Sequence, residues 1–171
     1  MKTSQHSIAR PTVGHALLVT AALLAALATL AVARASAAAG SVAKVGVVKT
    51  AIGTVLATGQ GRTLYMFAAD KHGQSACYGV CAHYWPPLLT SGKPTAGKGA
   101  KASLLGTTKR RDGKLQVTYN GRPVYRYVSD TQSGQIGGQG LNLSGGLWWA
   151  ISPNGALDKQ KASMGGGGGY G

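Results

Sequence analysis

Two aspartates occupy equivalent places in the sequence and are the first candidates for chemistry. Each ends a Tyr-x-(Phe/Tyr)-x-x-Asp motif, one running from Tyr65 to Asp70 and the other from Tyr125 to Asp130. A pair of carboxylates can flank a glycosidic bond as acid and base or as acid and nucleophile. An Asp between a strand and a Gly-containing loop commonly closes the turn with its side chain. We expect this structural role, because duplication of the motif explains the pair without catalysis.

A cluster of sulfur and imidazole side chains follows the first motif and comprises His72, Cys77, Cys81 and His83. Such ligands suit copper or zinc when the thiols are reduced. The chain carries an export signal, described below, and paired thiols in an oxidising compartment tend to form disulfides. A disulfide needs Cα atoms about 5 to 6 Å apart, and Gly79 permits the tight turn. We predict a Cys77–Cys81 disulfide. The alternative is an extracytoplasmic protein that uses this loop as a copper or zinc site or as a redox site.

Three tryptophans, Trp85, Trp148 and Trp149, are the candidate ligand-binding aromatic residues. Aromatic rings can stack on sugars or flat ligands, although they more often fill a core. Neighbours in a strand point to opposite faces. A single core can therefore bury at most one of Trp148 and Trp149, and the other is the predicted exposed aromatic.

The usual catalytic signatures are missing from the sequence. It contains no Glu, no Gly-x-Ser-x-Gly and no His-Glu-x-x-His, so the common general bases and activated nucleophiles are scarce. The stretch from Gly92 to Lys98 imitates the start of a phosphate-binding loop, but Gly99 replaces the hydroxyl residue that would ligate magnesium. We expect no enzyme and no resident cofactor, and we identify no small-molecule substrate.

The elements that hold these residues are predicted to be strands. β-Branched runs cover residues 42–48 and 52–57, and alternating patterns cover 62–67, 114–119, 122–127 and 148–152. The spacing places Tyr65 with Phe67, and Tyr125 with Tyr127, on one face of a strand each. Between two of these runs, Asn120-Gly121 is typical of a type I′ hairpin turn.

The predicted strands form two degenerate tandem repeats, about 45–95 and about 114–157. A shift of about 60 positions superposes the motifs, and after a three-residue insertion Trp85 falls on Trp148. Units this short cannot bury a core alone. We therefore predict one all-β domain over 42–157, compact and sandwich- or barrel-like, with a connector at 91–103 and a flexible Gly-rich tail at 158–171.

The N-terminus is typical of a secretory signal peptide over residues 1–37. Lys2 and Arg10 precede an apolar run over 16–33, and small-x-small sites such as Ala35-Ser36-Ala37 follow it. An uncleaved transmembrane anchor is the alternative, because the run is close to the minimum span of a bilayer. Either way the predicted location is secreted or extracytoplasmic, at the cell envelope.

The charge balance points to an anionic partner. The chain has 18 Lys and Arg against four acidic residues, and such a field attracts polyanions. Export separates the protein from cytoplasmic nucleic acid, so the expected partner is an anionic cell-wall polymer or a membrane surface. A purely solubilising role of the positive charge is the alternative.

The sequence also resembles a family of secreted repeats of unknown function, described as predicted lipoproteins with a Y-x-(F/W/Y)-x-x-D motif. The resemblance covers residues 42 to about 157 and rests on five stretches, 61–70, 77–87, 104–110, 117–121 and 138–142. It implies an exported protein of duplicated architecture. It does not extend to a lipid anchor, because no cysteine follows the apolar run.

Overall fold

The computed structural model describes residues 40–159. The predicted signal peptide, its anchor alternative and nearly all of the predicted tail lie outside the described residues. Within them are nine short strands, one short helix and a 3₁₀ turn at Ala102–Leu104. The strands and the helix are Lys44–Thr50 (β1), Gly53–Thr58 (β2), Tyr65–Phe67 (β3), Val80–Tyr84 (α1), Thr95–Ala96 (β4), Leu105–Lys109 (β5), Leu115–Tyr119 (β6), Arg122–Pro123 (β7), Asn142–Leu143 (β8) and Gly146–Ala150 (β9).

The strands form three sheets of three strands each, in the orders β2-β1-β4, β3-β9-β8 and β5-β6-β7. All pairings between these strands are antiparallel except that of β1 with β4. The predicted all-β fold with two repeats is therefore confirmed. No helix between residues 40 and 159 is long and apolar enough to cross a membrane.

Each repeat opens with a hairpin, and the two hairpins are equivalent. The second hairpin begins at Leu105, before the start of about 114 predicted for repeat two. β1 pairs with β2 in the first, from Val45 opposite Thr58 to Thr50 opposite Gly53, and β5 pairs with β6 in the second. A two-residue turn continues β6 into β7, and both turn residues have positive φ, 49° at Asn120 and 72° at Gly121. Two positive φ angles define the type I′ turn that the Asn-Gly pair predicts.

After the hairpin, the repeats exchange strands. β3 of repeat one pairs with β9, the tryptophan strand of repeat two, so that Phe67 lies opposite Trp148. The equivalent segments of the other half also meet, because the Arg126 N–H donates to the Pro86 carbonyl at 2.9 Å. Each repeat therefore completes the sheet structure of the other, which explains why a unit of this length does not need a core of its own.

Two apolar cores lie on opposite sides of β3, since Tyr65 and Phe67 contribute to one and Met66 to the other. The first core is aliphatic and contains Val45, Leu56, Leu64, Val117 and Ile151. The second is mainly aromatic and contains Tyr65, Phe67, Trp85, Tyr125 and Trp148. Residues of both repeats fill both cores, so neither core belongs to one repeat.

Several elements differ from the sequence prediction. The strand predicted over 122–127 is only the two-residue β7 with an isolated bridge at Tyr125, and β8, β4 and α1 were not predicted. The predicted connector contains β4, which pairs in parallel with β1 through Thr95 opposite Lys44 and Ala96 opposite Val45. The helix α1 lies where only a tight loop was predicted, because the Trp85 N–H closes a helical turn onto the Cys81 carbonyl at 2.8 Å. Both elements are too short to have a periodic signature.

Candidate functional site

The two motif tyrosines meet at the centre of the domain. The Tyr65 N–H donates to the Tyr125 carbonyl, and the Tyr125 N–H donates to the Tyr65 carbonyl, each at 2.9 Å. Such a reciprocal antiparallel bridge has a local twofold axis between its two residues. The two repeats follow the same twofold relation, since the hydrogen bond from Tyr65 to Asp130 is matched by that from Tyr125 to Asp70.

The motif side chains cross between the repeats. The Tyr65 hydroxyl donates to Asp130 Oδ2 at 2.5 Å, and the Tyr125 hydroxyl donates to Asp70 Oδ2 at 2.8 Å. The second oxygen of each carboxylate closes its own loop, since Asp70 Oδ1 accepts the Ala76 N–H and Asp130 Oδ1 accepts the Gly137 N–H. Each Asp therefore closes a turn, as expected from the sequence, and also joins the repeats, which the sequence did not show.

Burial controls the ionisation of these four groups. Desolvation raises the pKa of Asp70 to about 6, although the Ala76 N–H and the Tyr125 hydroxyl favour its charged form. Desolvation likewise raises the pKa of Asp130 above its ordinary value. The pKa values of Tyr65 and Tyr125 are raised by burial and by their aspartate partners. Both phenols are therefore neutral hydrogen-bond donors at physiological pH.

The second core contains a continuous stack of four aromatic rings. Trp85 and Trp148 lie parallel across the twofold axis with centroids 3.9 Å apart. Tyr127 stacks on the outer face of Trp85 at 4.3 Å, and Phe67 stacks on the outer face of Trp148 at 4.1 Å. Gly138 is needed beside the stack, because a Cβ there would lie 2.8 Å from the Trp85 ring.

The three candidate ligand-binding tryptophans lie mostly inside the protein. Trp85 and Trp148 have no exposed surface and offer no ring face to a ligand, which corrects their role from ligand contacts to core residues. Trp149 is half buried and packs against the first core. Trp148 and Trp149 do point to opposite faces of β9, as predicted.

The predicted disulfide is present. Cys77 and Cys81 are bonded, with Cα atoms 5.3 Å apart, and Gly79 between them has a φ of 56° that favours glycine. The buried Arg110 holds this loop in place, because its guanidinium donates to the Cys77 carbonyl and the Ser75 hydroxyl, each at 2.8 Å. The loop is thus tied to the β5–β6 hairpin of repeat two.

The alternative metal site loses its sulfur ligands in this state, because both cysteine sulfurs are in the disulfide. His72 and His83 are exposed loop and helix residues. Among residues 40–159, no group of three or more His, Cys, Asp or Glu side chains is placed to hold a metal ion. Copper or zinc binding at His72, Cys77, Cys81 and His83 would therefore require reduction of the disulfide first.

A basic cleft of about 440 Å³ opens where the repeats meet, and we call it cleft one. Its lining includes Arg62, Pro86, Leu88, Arg126, Val128 and Asp130. The Arg62 guanidinium donates to the backbone carbonyl of Asp130, which anchors that arginine at the wall. The Asp130 carboxylate is only 3% exposed and is directed at Tyr65 and Gly137. Two guanidinium groups therefore dominate the charge of cleft one.

The twofold axis relates cleft one to a smaller cleft of about 310 Å³, cleft two, lined by Met66, Asp70, His72, Gly73, Arg122 and Pro123. In the repeat alignment Arg122 corresponds to Arg62, Asp70 to Asp130 and Met66 to Arg126. Cleft two has one arginine where cleft one has two, and its aspartate is only partly buried. Of these two clefts, cleft one is therefore the more positive.

Tyr84 is an exposed aromatic residue beside the wall of cleft one, and the sequence did not single it out. Tyr84 is 50% exposed, and its backbone carbonyl accepts the N–H of Val128, a residue of the cleft wall, at 3.0 Å. The only sequence signal for this position is its place after the disulfide loop. Cleft one itself has no sequence signature, because its residues come from three separated segments of the chain.

The fold and these sites define a class: a two-repeat β domain whose repeats pair β3 with β9 and exchange tyrosine–aspartate hydrogen bonds, with a basic cleft at their junction. The family of secreted repeats of unknown function matches the chain twice, at residues 46–89 and 106–152. Because the two matches span more than half of the 171 residues, the chain belongs to this family. No curated protein and no solved structure matches it.

Proposed function

We propose that this protein is a non-enzymatic binding module of the cell envelope that holds anionic groups of a cell-wall polymer in cleft one. The observation that carries the proposal is the pair of arginines, Arg62 and Arg126, in one cleft whose only carboxylate points inward. Guanidinium groups bind phosphate and carboxylate oxygens through paired hydrogen bonds. The proposed module uses no cofactor.

The rest of the charge distribution supports the same partner. The four carboxylates of the sequence are all aspartates. Asp70 and Asp130 are used in internal hydrogen bonds, and Asp112 pairs with the buried Arg110 at 3.5 Å. Four carboxylates against 18 Lys and Arg leave a strong positive field, which steers polyanions towards the protein.

The arrangement of the motif aspartates supports a binding role over glycoside hydrolysis. Each carboxylate accepts one hydrogen bond from a tyrosine and one from a backbone N–H. A general acid or nucleophile must present an oxygen to the substrate. Asp70 and Asp130 direct both oxygens at groups of the protein itself.

Cosedimentation with isolated cell wall at several salt concentrations tests the proposal. Arg126 is exposed, so Arg126→Glu should leave the fold intact while it places a negative charge in cleft one. We expect apparent affinity for the wall to fall about tenfold or more, because a charged hydrogen bond becomes a repulsion. Binding of the unchanged protein should weaken steadily as salt is added.

The matched control is Lys93→Glu, which makes the same change of charge at an exposed residue outside both clefts. If the two variants lose binding equally, net charge explains the attraction and cleft one is not the site. Absence of wall binding by the unchanged protein, even at low salt, would refute the proposed function itself.

A further inference from the structure

The helix α1 presents apolar side chains to solvent beside cleft one. Val80 is 75% exposed and Tyr84 is 50% exposed. They are four positions apart, so they lie on the same face of the helix. Val128, at the wall of cleft one, is 47% exposed. We call Val80, Tyr84 and Val128 the ridge.

The ridge and cleft one are joined by backbone contacts. The Val128 N–H donates to the Tyr84 carbonyl at 3.0 Å, and two residues away the Arg126 N–H donates to the Pro86 carbonyl at 2.9 Å. On this chain segment, Val128 and Arg126 are both exposed and lie two residues apart. Apolar and cationic groups therefore share one continuous surface.

The ridge is also held rigidly. The disulfide joins the residue before the turn to the second residue of α1, and the Trp85 N–H donates to the Cys81 carbonyl at 2.8 Å. Trp85 itself is completely buried in the aromatic stack. A surface that is fixed before binding loses little conformational freedom on binding.

We propose that the ridge and cleft one together bind the surface of an anionic phospholipid bilayer. Val80, Tyr84 and Val128 enter the interfacial layer, while Arg62 and Arg126 contact lipid phosphates. The inference rests on the proposed function for the two arginines, and it adds a second partner that uses the ridge.

The chemistry of the surface favours this occupant. Aliphatic side chains beside cations match the layered structure of a bilayer, in which acyl chains lie just below the phosphates. Tyrosine is enriched at this interface, because its ring is apolar and its hydroxyl is polar. The excess of basic residues adds attraction to an anionic lipid surface, at about 1 kcal/mol for each nearby Lys or Arg. A cell-wall polymer would use the arginines but would gain little from two valines.

Vesicle cosedimentation tests the inference with the whole protein. Vesicles of mixed phosphatidylglycerol and phosphatidylcholine should bind it, and vesicles of phosphatidylcholine alone should bind it far less. Val80→Asp changes a side chain that is already mostly in solvent, so the fold should persist. We expect its affinity for the anionic vesicles to fall about tenfold, the loss expected when one valine no longer leaves water.

Leu143→Asp is the matched control, because Leu143 is 44% exposed and belongs to neither the ridge nor cleft one. Every variant carries the same residues 1–39, so differences between variants report on the ridge. Equal loss in V80D and L143D, no loss in V80D, or equal binding to the two kinds of vesicle would overturn the inference.

The cell-wall assay separates this inference from the proposed function. V80D should bind isolated wall as the unchanged protein does, whereas R126E should lose both wall and vesicles. Wall binding that depends on Arg126, without any vesicle binding, would refute the membrane partner and leave the proposed function standing. Vesicle binding without wall binding would refute the cell-wall polymer as the partner and leave the membrane partner standing.

Discussion

Repeat one and repeat two share a scaffold but differ in the segment after the motif and in the cleft beside it. In both, a hairpin leads to a buried tyrosine, an aspartate closes a loop, and a tryptophan packs across the twofold axis. Only repeat one continues into a disulfide-bonded helix, and only cleft one has two arginines. The shared parts hold the halves together, while the proposed binding surfaces lie where the halves differ.

The shared parts are themselves not identical. The Trp148 Nε1–H donates to the Leu143 carbonyl at 3.1 Å, whereas the Trp85 Nε1–H is buried with no hydrogen-bond partner among the described residues. Likewise Asp130 is 3% exposed, whereas Asp70 is only partly buried. Equivalent substitutions in the two repeats can therefore show whether symmetric positions contribute equally to the free energy of unfolding.

The largest effect should come from the stacked tryptophans. Trp85→Ala or Trp148→Ala should each lower the free energy of unfolding by about 4 kcal/mol, because a large buried ring leaves a cavity. The Phe variants distinguish the two tryptophans, since Trp148→Phe also removes the hydrogen bond to the Leu143 carbonyl. It should cost about 1 kcal/mol more than Trp85→Phe. Urea unfolding followed by far-ultraviolet circular dichroism measures both differences, and a costlier Trp85→Phe would contradict this view of the indole N–H groups.

The crossed tyrosines should have the next largest effect. Tyr65→Phe leaves the deeply buried Asp130 carboxylate without its side-chain donor, and we expect a loss of about 2 kcal/mol in the free energy of unfolding. Tyr125→Phe should lose about 1 kcal/mol, because the Asp70 carboxylate has better access to water. The same urea titrations compare the two. Equal losses would show that burial of the acceptor does not set the cost of the missing bond.

The smallest effect should be a pH dependence carried by Asp70. Its pKa rises from an ordinary 3.8 to about 6 in the folded protein, so the folded state binds more protons than the unfolded state between these values. This contribution to stability is complete below about pH 4 and is lost as pH rises through about 6. Asp70→Asn should flatten that part of a plot of melting temperature against pH. An unchanged slope in D70N would assign the effect to another group, with Asp130, whose pKa is also raised, as the first to examine.

Much of the fold could be predicted from the sequence, because its signals are local. Alternating aromatics predicted the strand at Tyr65, whereas of the strand predicted over 122–127 only Arg122–Pro123 and an isolated bridge at Tyr125 form. The Asn120-Gly121 pair predicted a turn that has two positive φ angles. The two cysteines predicted the disulfide. The duplicated motif also showed that two units share one plan, and the structure confirms this.

The exchange between repeats could not be predicted, because a repeat pattern is the same whether the units pair within themselves or with each other. The hydrogen bond from Tyr65 reaches Asp130 and not the aspartate of its own motif. For the same reason the candidate site was missed, since Arg62 and Arg126 meet only through that exchange. The alternating pattern correctly places Trp148 and Trp149 on opposite faces of their strand. It does not show that a second core covers the face of Trp149.

The crossed hydrogen bonds also determine when the chain can fold. Tyr65 and Asp130 are 65 positions apart, and Tyr125 and Asp70 are 55 apart. Contacts at such separations form late, because a long loop must close before they contribute. The first half of the chain therefore has no partner for its tyrosine, its aspartate or its tryptophan until the second half is present. The duplicated design makes folding of each half conditional on the other, so neither half can complete its fold while the chain is only partly available.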